Sequence, residues 1–191
     1  MDKFFGNLHR VLLAGLVLAV VVALIRHSDQ IGSHAFWAFV MRWIHVWFGL
    51  LWIGLLYYFN FVQMPSMPKI PDEQKPAVSK VIAPEALFYF RWAAAATVLF
   101  GLLTAIMDGN LGALAFQEGR ATIGIGMWLA LIMAFNVWVI IWPNQKKALG
   151  IVDATPDAKK AAARTAMLAS RTNTLLSIAM LYCMVAQGNV G

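Results

Sequence analysis

Residues 11–25 read VLLAGLVLAVVVALI and contain no charged side chain. The run is apolar around the whole circumference of a helix, which is typical of a helix surrounded by lipid. Four further stretches also lack Asp, Glu, Lys and Arg, namely residues 43–68, 92–107, 121–145 and 172–191. A hydrocarbon core of about 30 Å requires about 20 helical residues, and flanking arginines that snorkel can extend the shorter runs. The pattern therefore predicts five membrane-spanning helices.

The composition favours the same class of protein. Of the 191 residues, 61% are hydrophobic and 13% are charged, whereas soluble globular proteins have about 45–50% apolar and about 25% charged residues. So few charges cannot cover the surface of a soluble globule. The single cysteine, Cys183, leaves no internal disulfide and no cysteine-based zinc or iron–sulfur site. We therefore predict an all-α integral membrane bundle that forms a single transmembrane domain over residues 1–191.

Local signals give the predicted bounds of the five helices, which are approximately 8–27, 34–63, 86–107, 121–142 and 156–187. Proline disfavours helical geometry in the residue before it, so Pro65 and Pro143 are expected to end the second and fourth helices. Residues 64–84 then form the main cytoplasmic loop. The fifth helix is expected to begin at Pro156, because Thr155 can cap it with a hydroxyl and proline suits the first helical position.

Lys and Arg are divided unequally between the two ends of these helices. Three fall on one side and twelve on the other: Arg26, Arg42 and Arg120, against Lys3, Arg10, Lys69, Lys75, Lys80, Arg91, Lys146, Lys147, Lys159, Lys160, Arg164 and Arg171. Cytoplasmic loops carry the excess of basic residues, so the N-terminus is predicted to be cytoplasmic and the C-terminus periplasmic. The net charge of +6 is explained by topology and anionic lipid rather than by nucleic acid. The predicted location is the bacterial inner membrane.

Three of the four histidines lie near the predicted outer ends of the first two helices. His27 ends the first helix, His34 begins the second, and His45 points within about 20° of His34 three turns later. Neutral imidazole is tolerated in lipid and is a common metal ligand. We therefore predict that His45 is an axial ligand of a b-type haem, with His27 as the second metal ligand or His34 assisting. A methionine of another helix or an open position is the alternative to a second histidine.

The helix face that carries His45 also carries Gly49 and Trp52, at positions i+4 and i+7. Glycine leaves room for a flat ring, and tryptophan supplies an apolar wall and an N–H donor. A structural alternative stays open, in which Gly49 permits close helix packing and His45 bonds a carbonyl or water across the bundle.

Other polar side chains lie within the spans or at their ends. The amides Asn60, Asn136 and Asn173 are expected to hydrogen-bond across helices. Arg91 and Arg171 lie at predicted inner helix ends, where arginine commonly snorkels. Because both are on one side, they are also candidates for binding a haem propionate, an anionic head group or an anionic substrate.

Four segments resemble the N-terminal membrane domain of PuuD-type urate hydroxylases. They are residues 42–63 (RWIHVWFGLLWIGLLYYFNFVQ), 90–97 (FRWAAAAT), 136–147 (NVWVIIWPNQKK) and 170–177 (SRTNTLLS). The resemblance implies an integral membrane protein connected with oxidation. Full-length members of that family carry a cytochrome c domain, whereas this sequence contains no CxxCH haem-attachment motif. We therefore expect a short stand-alone relative without that domain.

Three functions agree with these features. The first is a small haem b protein that transfers electrons between a membrane partner and a periplasmic electron carrier. The second is a non-catalytic accessory subunit of a larger respiratory or photosynthetic membrane complex. The third is copper handling by histidines and the ten methionines, although methionine is also an ordinary core residue. The sequence contains no nucleophile elbow, phosphate loop, dinucleotide fingerprint or HExxH motif, and it leaves open whether the protein is an enzyme.

Overall fold

The computed structural model describes residues 2–189, and all regular structure within them is helical. The long helices of this described part are α1 (Leu8–His27), α2 (His34–Lys69), α3 (Lys75–Met107), α4 (Ala121–Ala148) and α5 (Pro156–Ala186). A short helix, Asp2–Phe5, precedes α1, and a 3-10 helix, Leu111–Ala115, lies between α3 and α4. The prediction of an all-α fold is confirmed.

Four of these helices, α1 to α4, are long and apolar enough to cross a membrane. Within the described residues α5 does not join that group. Its first half carries the basic residues Lys159, Lys160, Arg164 and Arg171, which lower its mean hydropathy. The structure thus provides four helices of membrane-spanning character, and the insertion of five stays a prediction.

Side-chain caps fix where several helices begin. Asn7 Oδ1 accepts a hydrogen bond from the Arg10 amide at 3.2 Å, at the start of α1. Thr155 Oγ1 accepts one from the Ala158 amide at 3.3 Å, and Pro156 follows as the first residue of α5. Each cap satisfies one of the amide groups that the first turn of a helix leaves free. The predicted start of α5 is confirmed.

Three predicted helix bounds need correction. The helix α2 continues beyond Gln63 to Lys69, and α4 continues beyond Trp142 to Ala148. The helix α3 begins at Lys75 instead of residue 86. The segment predicted as a loop over residues 64–84 is therefore mostly helical, and only residues 70–74 separate α2 from α3.

A π-helical segment precedes three of the prolines within these helices, Pro65, Pro84 and Pro143. The segments are Tyr58–Gln63 before Met64-Pro65, Val78–Ile82 before Ala83-Pro84, and Asn136–Ile141 before Trp142-Pro143. In each case the residue before proline donates its amide to the carbonyl five residues back: Met64 to Phe59, Ala83 to Val78, and Trp142 to Val137. A proline ring clashes with the carbonyl four residues back in an α-helix. The wider π turn moves that carbonyl aside, so the helix continues.

The described chain divides into two compact units, with the boundary after Val40, inside α2. The first unit contains α1, in which no residue is buried, and the first turns of α2. The second unit contains the rest of α2 with α3, α4 and α5. Its core is a cluster of buried side chains that includes Trp52, Leu56, Phe90, Met133 and Val137. The single domain over residues 1–191 stays a prediction.

Candidate functional site

His45 lies on α2 within the second unit and contacts α3. Its Nδ1 atom is 2.8 Å from the carbonyl oxygen of Thr97, which is a buried residue of α3. A carbonyl oxygen can only accept, so Nδ1 carries the proton and donates it to Thr97. In the neutral imidazole the other ring nitrogen, Nε2, is then unprotonated and has a free lone pair. This tautomer is the form in which a histidine ligates a metal through Nε2.

Gly101 makes room for the His45 ring against α3. A Cβ atom added at Gly101 would lie 2.8 Å from His45 Cε1 and 2.9 Å from Nδ1. These distances are well below ordinary van der Waals contact, so a larger residue at this position would force the imidazole away. Gly101 is the one glycine in the stretch Ala83–Met107. Neither Thr97 nor Gly101 is predicted from the sequence as a partner of His45.

Gly49 and Trp52 lie on the same face of α2 as His45. A Cβ atom added at Gly49 would meet Thr97 Cγ2 at 3.8 Å, an ordinary contact, so α3 covers this part of the face. Trp52 is 1% exposed, and its indole Nε1 has no hydrogen-bond partner among the described residues. The face of α2 that carries His45, Gly49 and Trp52 is therefore directed toward the other helices of the second unit.

His27 and His34 belong to the first unit. The His27 ring is half-buried, and its centroid lies 6.5 Å from that of Phe39. His34 is exposed and is the first residue of α2, just after Ser33, whose hydroxyl accepts a hydrogen bond from the Phe36 amide at 3.1 Å. Their role as ligands beside His45 stays a prediction.

The two candidate arginines differ in their surroundings. The guanidinium carbon of Arg91 lies 3.4 Å from the ring centroid of Trp142, in a cation–π contact between α3 and α4. The Nη1 atom of Arg91 is buried and has no hydrogen-bond partner within the described chain. Arg171 is exposed on α5. Only Arg91 therefore combines a fixed position with a free donor.

The buried amides join the helices of the second unit. Asn60 donates to Ser170 Oγ at 2.8 Å, and Asn136 donates to Asn173 Oδ1 at 2.8 Å. Asn173 also donates to the Met133 carbonyl at 2.9 Å. The expectation that these amides bond across helices is confirmed, and the pairs tie α5 to α2 and α4.

The described residues contain no cluster of the side chains that most often bind metals. Across residues 2–189 no three His, Cys, Asp or Glu side chains form a group that could hold a metal ion.

The chain is thus an all-helical protein with membrane-length helices and an inward-facing histidine. Residues 102–188 match the model of the family described as Urate oxidase N-terminal. This match fits a urate-oxidase-related domain in that part of the chain, which includes α4 and α5. His45, Thr97 and Gly101 lie before the matched residues. No curated protein and no solved structure matches the chain.

Proposed function

We propose that this protein is an inner-membrane redox protein that binds haem b through Nε2 of His45 and transfers electrons. The observation that carries the proposal is the 2.8 Å contact between His45 Nδ1 and the Thr97 carbonyl. Histidines that ligate metals usually donate their second nitrogen to a carbonyl or carboxylate, which fixes the tautomer and the direction of the ring. The resemblance to PuuD-type urate hydroxylases and the match of residues 102–188 to the family described as Urate oxidase N-terminal agree with a redox role.

The chain's own residues would hold the group in three ways. His45 would hold the iron through Nε2, and Thr97 and Gly101 would keep its ring in place. His27, with His34 as the substitute, is proposed to hold the haem as well, because neutral imidazole is a common metal ligand. Arg91 has a buried donor free for a propionate or another anion, and Arg171 is the weaker candidate because it is exposed. Bound haem would supply a one-electron carrier.

A membrane location is part of the same proposal. All five long helices are proposed to cross the bilayer, with the N-terminus in the cytoplasm. The α1 side chains support this arrangement, because none is buried and large apolar residues such as Leu13, Leu18 and Ile25 are more than 60% exposed. Soluble monomers rarely expose so large an apolar surface. The charge-free second half of α5, from Thr172 onward, is the proposed fifth crossing.

The exposed surface of α1 also favours a second candidate function. A helix with no buried side chain in its own unit can be covered by lipid or by another subunit, so the chain suits an accessory role in a larger membrane complex. Isolation of the protein in a mild detergent distinguishes the two functions. An accessory subunit migrates in one complex with partner proteins after mild solubilisation, and its removal disrupts that complex.

Optical spectra test the haem proposal. The full-length protein is produced with adequate haem, purified in detergent and measured oxidised and reduced. We expect a Soret band and a reducible b-type signal in the wild type, its loss in His45→Ala, and its retention in His9→Ala, a matched change at an exposed histidine. A wild type without a Soret band, or an unchanged signal in His45→Ala, would reject the assignment.

A further inference from the structure

Two adjoining cavities lie away from His45, where α2, α3, α4 and α5 approach one another in the second unit. Their volumes are about 240 Å³ and about 80 Å³. Both are lined by Phe59, Leu87, Gln145 and Ala163, so they share a wall. For comparison, a cavity of about 150 Å³ is enough to bind benzene. The larger cavity therefore has room for a substituted six-membered ring.

All three π-helical segments contribute to these walls. Phe59 and Gln63 come from the first segment, Val78 and Ser79 from the second, and Ile141 from the third. π-Helical turns are rare and occur frequently at functional sites, because they change where side chains point without ending the helix. Three of them meeting at one pair of cavities is an observation independent of the cavity volume.

The lining restricts the charge of a ligand. Among the described residues that line the two cavities there is no Asp, Glu, Lys, Arg or His. An ion buried without a partner of opposite charge is strongly disfavoured, so phosphate, carboxylate and urate-like anions do not suit this site. The lining therefore favours an uncharged ligand.

One polar atom restricts the ligand further. The Oε1 atom of Gln63 is buried and has no hydrogen-bond partner among the described residues, and Gln63 lines the larger cavity. An amide oxygen accepts hydrogen bonds, so the complementary group is an O–H or N–H donor. Phe59 and Met67 also line this cavity. Their aromatic and polarizable side chains can pack against a ring of the ligand that carries the donor group.

We propose that these cavities bind an uncharged aromatic ring that carries hydroxyl groups, the chemistry of the head group of a membrane quinol. A hydroxyl of the ring donates to Gln63 Oε1, and the ring packs between Phe59 and the aliphatic side chains. The proposal concerns binding alone and does not depend on haem ligation by His45.

The test uses the purified full-length protein in detergent and three probes of similar size. The probes are duroquinol under argon, duroquinone, which lacks the hydroxyl donors, and durene, which lacks the oxygens. Isothermal titration gives each dissociation constant. We expect duroquinol to bind most tightly and Gln63→Leu to weaken it about tenfold, which corresponds to about 1.4 kcal/mol. Gln63→Leu leaves durene unchanged.

A second pair of variants tests the position of the site. Ala163 is exposed on α5 and lines both cavities, whereas Ala161 is exposed on the same helix and lines neither. Ala163→Trp is expected to abolish binding, and Ala161→Trp to bind as the wild type does. If Ala163→Trp does not fold, Ala163→Leu takes its place and is expected to weaken binding.

Several outcomes would overturn the proposal. They are the absence of duroquinol binding to the wild type, equal affinity for duroquinol and durene, and wild-type affinity in the folded Ala163 variant. The first would mean that water or detergent alone occupies the cavities. Wild-type affinity in His45→Ala would show that this site stands even if the haem proposal fails.

Discussion

The replacement Gly101→Ala tests the geometry that holds His45. The added methyl group would lie 2.8 Å from His45 Cε1 and 2.9 Å from Nδ1. Ordinary contacts between carbon atoms are about 3.5–4.0 Å, so the ring or α3 has to move by about 0.7–1.2 Å. That movement lengthens the 2.8 Å hydrogen bond to the Thr97 carbonyl.

The expected change in the free energy of unfolding combines three effects. Overpacking costs about 1–3 kcal/mol, a weakened buried hydrogen bond costs about 1–3 kcal/mol, and alanine is better than glycine in a helix by about 1 kcal/mol. The net destabilisation is therefore about 3 kcal/mol, within a range of about 1–5 kcal/mol. Equilibrium unfolding of the detergent-solubilised protein, followed by circular dichroism, measures it.

Two controls make this experiment specific. Gly54→Ala adds a methyl group that meets nothing within 4 Å, so it is expected to be neutral or stabilising. In the His45→Ala background the ring is absent, and Gly101→Ala is then expected to cost nothing and to stabilise the protein by up to about 1 kcal/mol. The same loss from Gly101→Ala with and without the His45 ring would refute the packing argument.

Three further predictions concern stability and topology. Asn173→Ala is expected to lower the free energy of unfolding by about 2–4 kcal/mol, because fully buried Asn173 bonds both Asn136 and the Met133 carbonyl. The control Asn189→Ala, at an exposed position, is expected to cost less than about 0.5 kcal/mol. Removing the hydroxyl cap of α5 by Thr155→Ala is expected to cost about 1 kcal/mol, and a value near zero would mean that the cap does not stabilise α5. Alkaline phosphatase fused after Gln187 is expected to be active in the periplasm and inactive when fused after Gly150; inactivity at both positions would contradict a fifth crossing.

The helices were predictable where one physical signal decided them. The charge-free apolar run of residues 11–25 and the Thr155-Pro156 start both depend on local chemistry, and the structure has helices at both places. The cross-helix amides were predictable because a buried amide needs a partner wherever it lies. Those expectations needed no knowledge of which helices are neighbours.

The continuation of the helices past these prolines was not predictable from the same rules. Pro65 and Pro143 end helices when only α-helical geometry is considered, but a π turn before each one lets the helix continue. This solution depends on hydrogen bonds five residues apart, which leave no periodic signal in the sequence.

The partners of His45 were hidden for another reason. Thr97 acts through its backbone carbonyl, so its side chain gives no sign of the contact. Gly101 could have been found as the one glycine in the Ala83–Met107 stretch, but linking it to His45 requires the register between α2 and α3. The two cavities could not be predicted either, because residues of the π-helical segments before the prolines line them.

The central claim, that Nε2 of His45 ligates haem iron, is tested most directly by His45→Gly with added imidazole. Removing the side chain leaves a space of the size of the lost ring beside Gly101. We expect His45→Gly to lose the reducible b-type spectrum and millimolar imidazole to restore it, with His9→Gly unaffected throughout. A variant that keeps the wild-type spectrum without imidazole would contradict the claim.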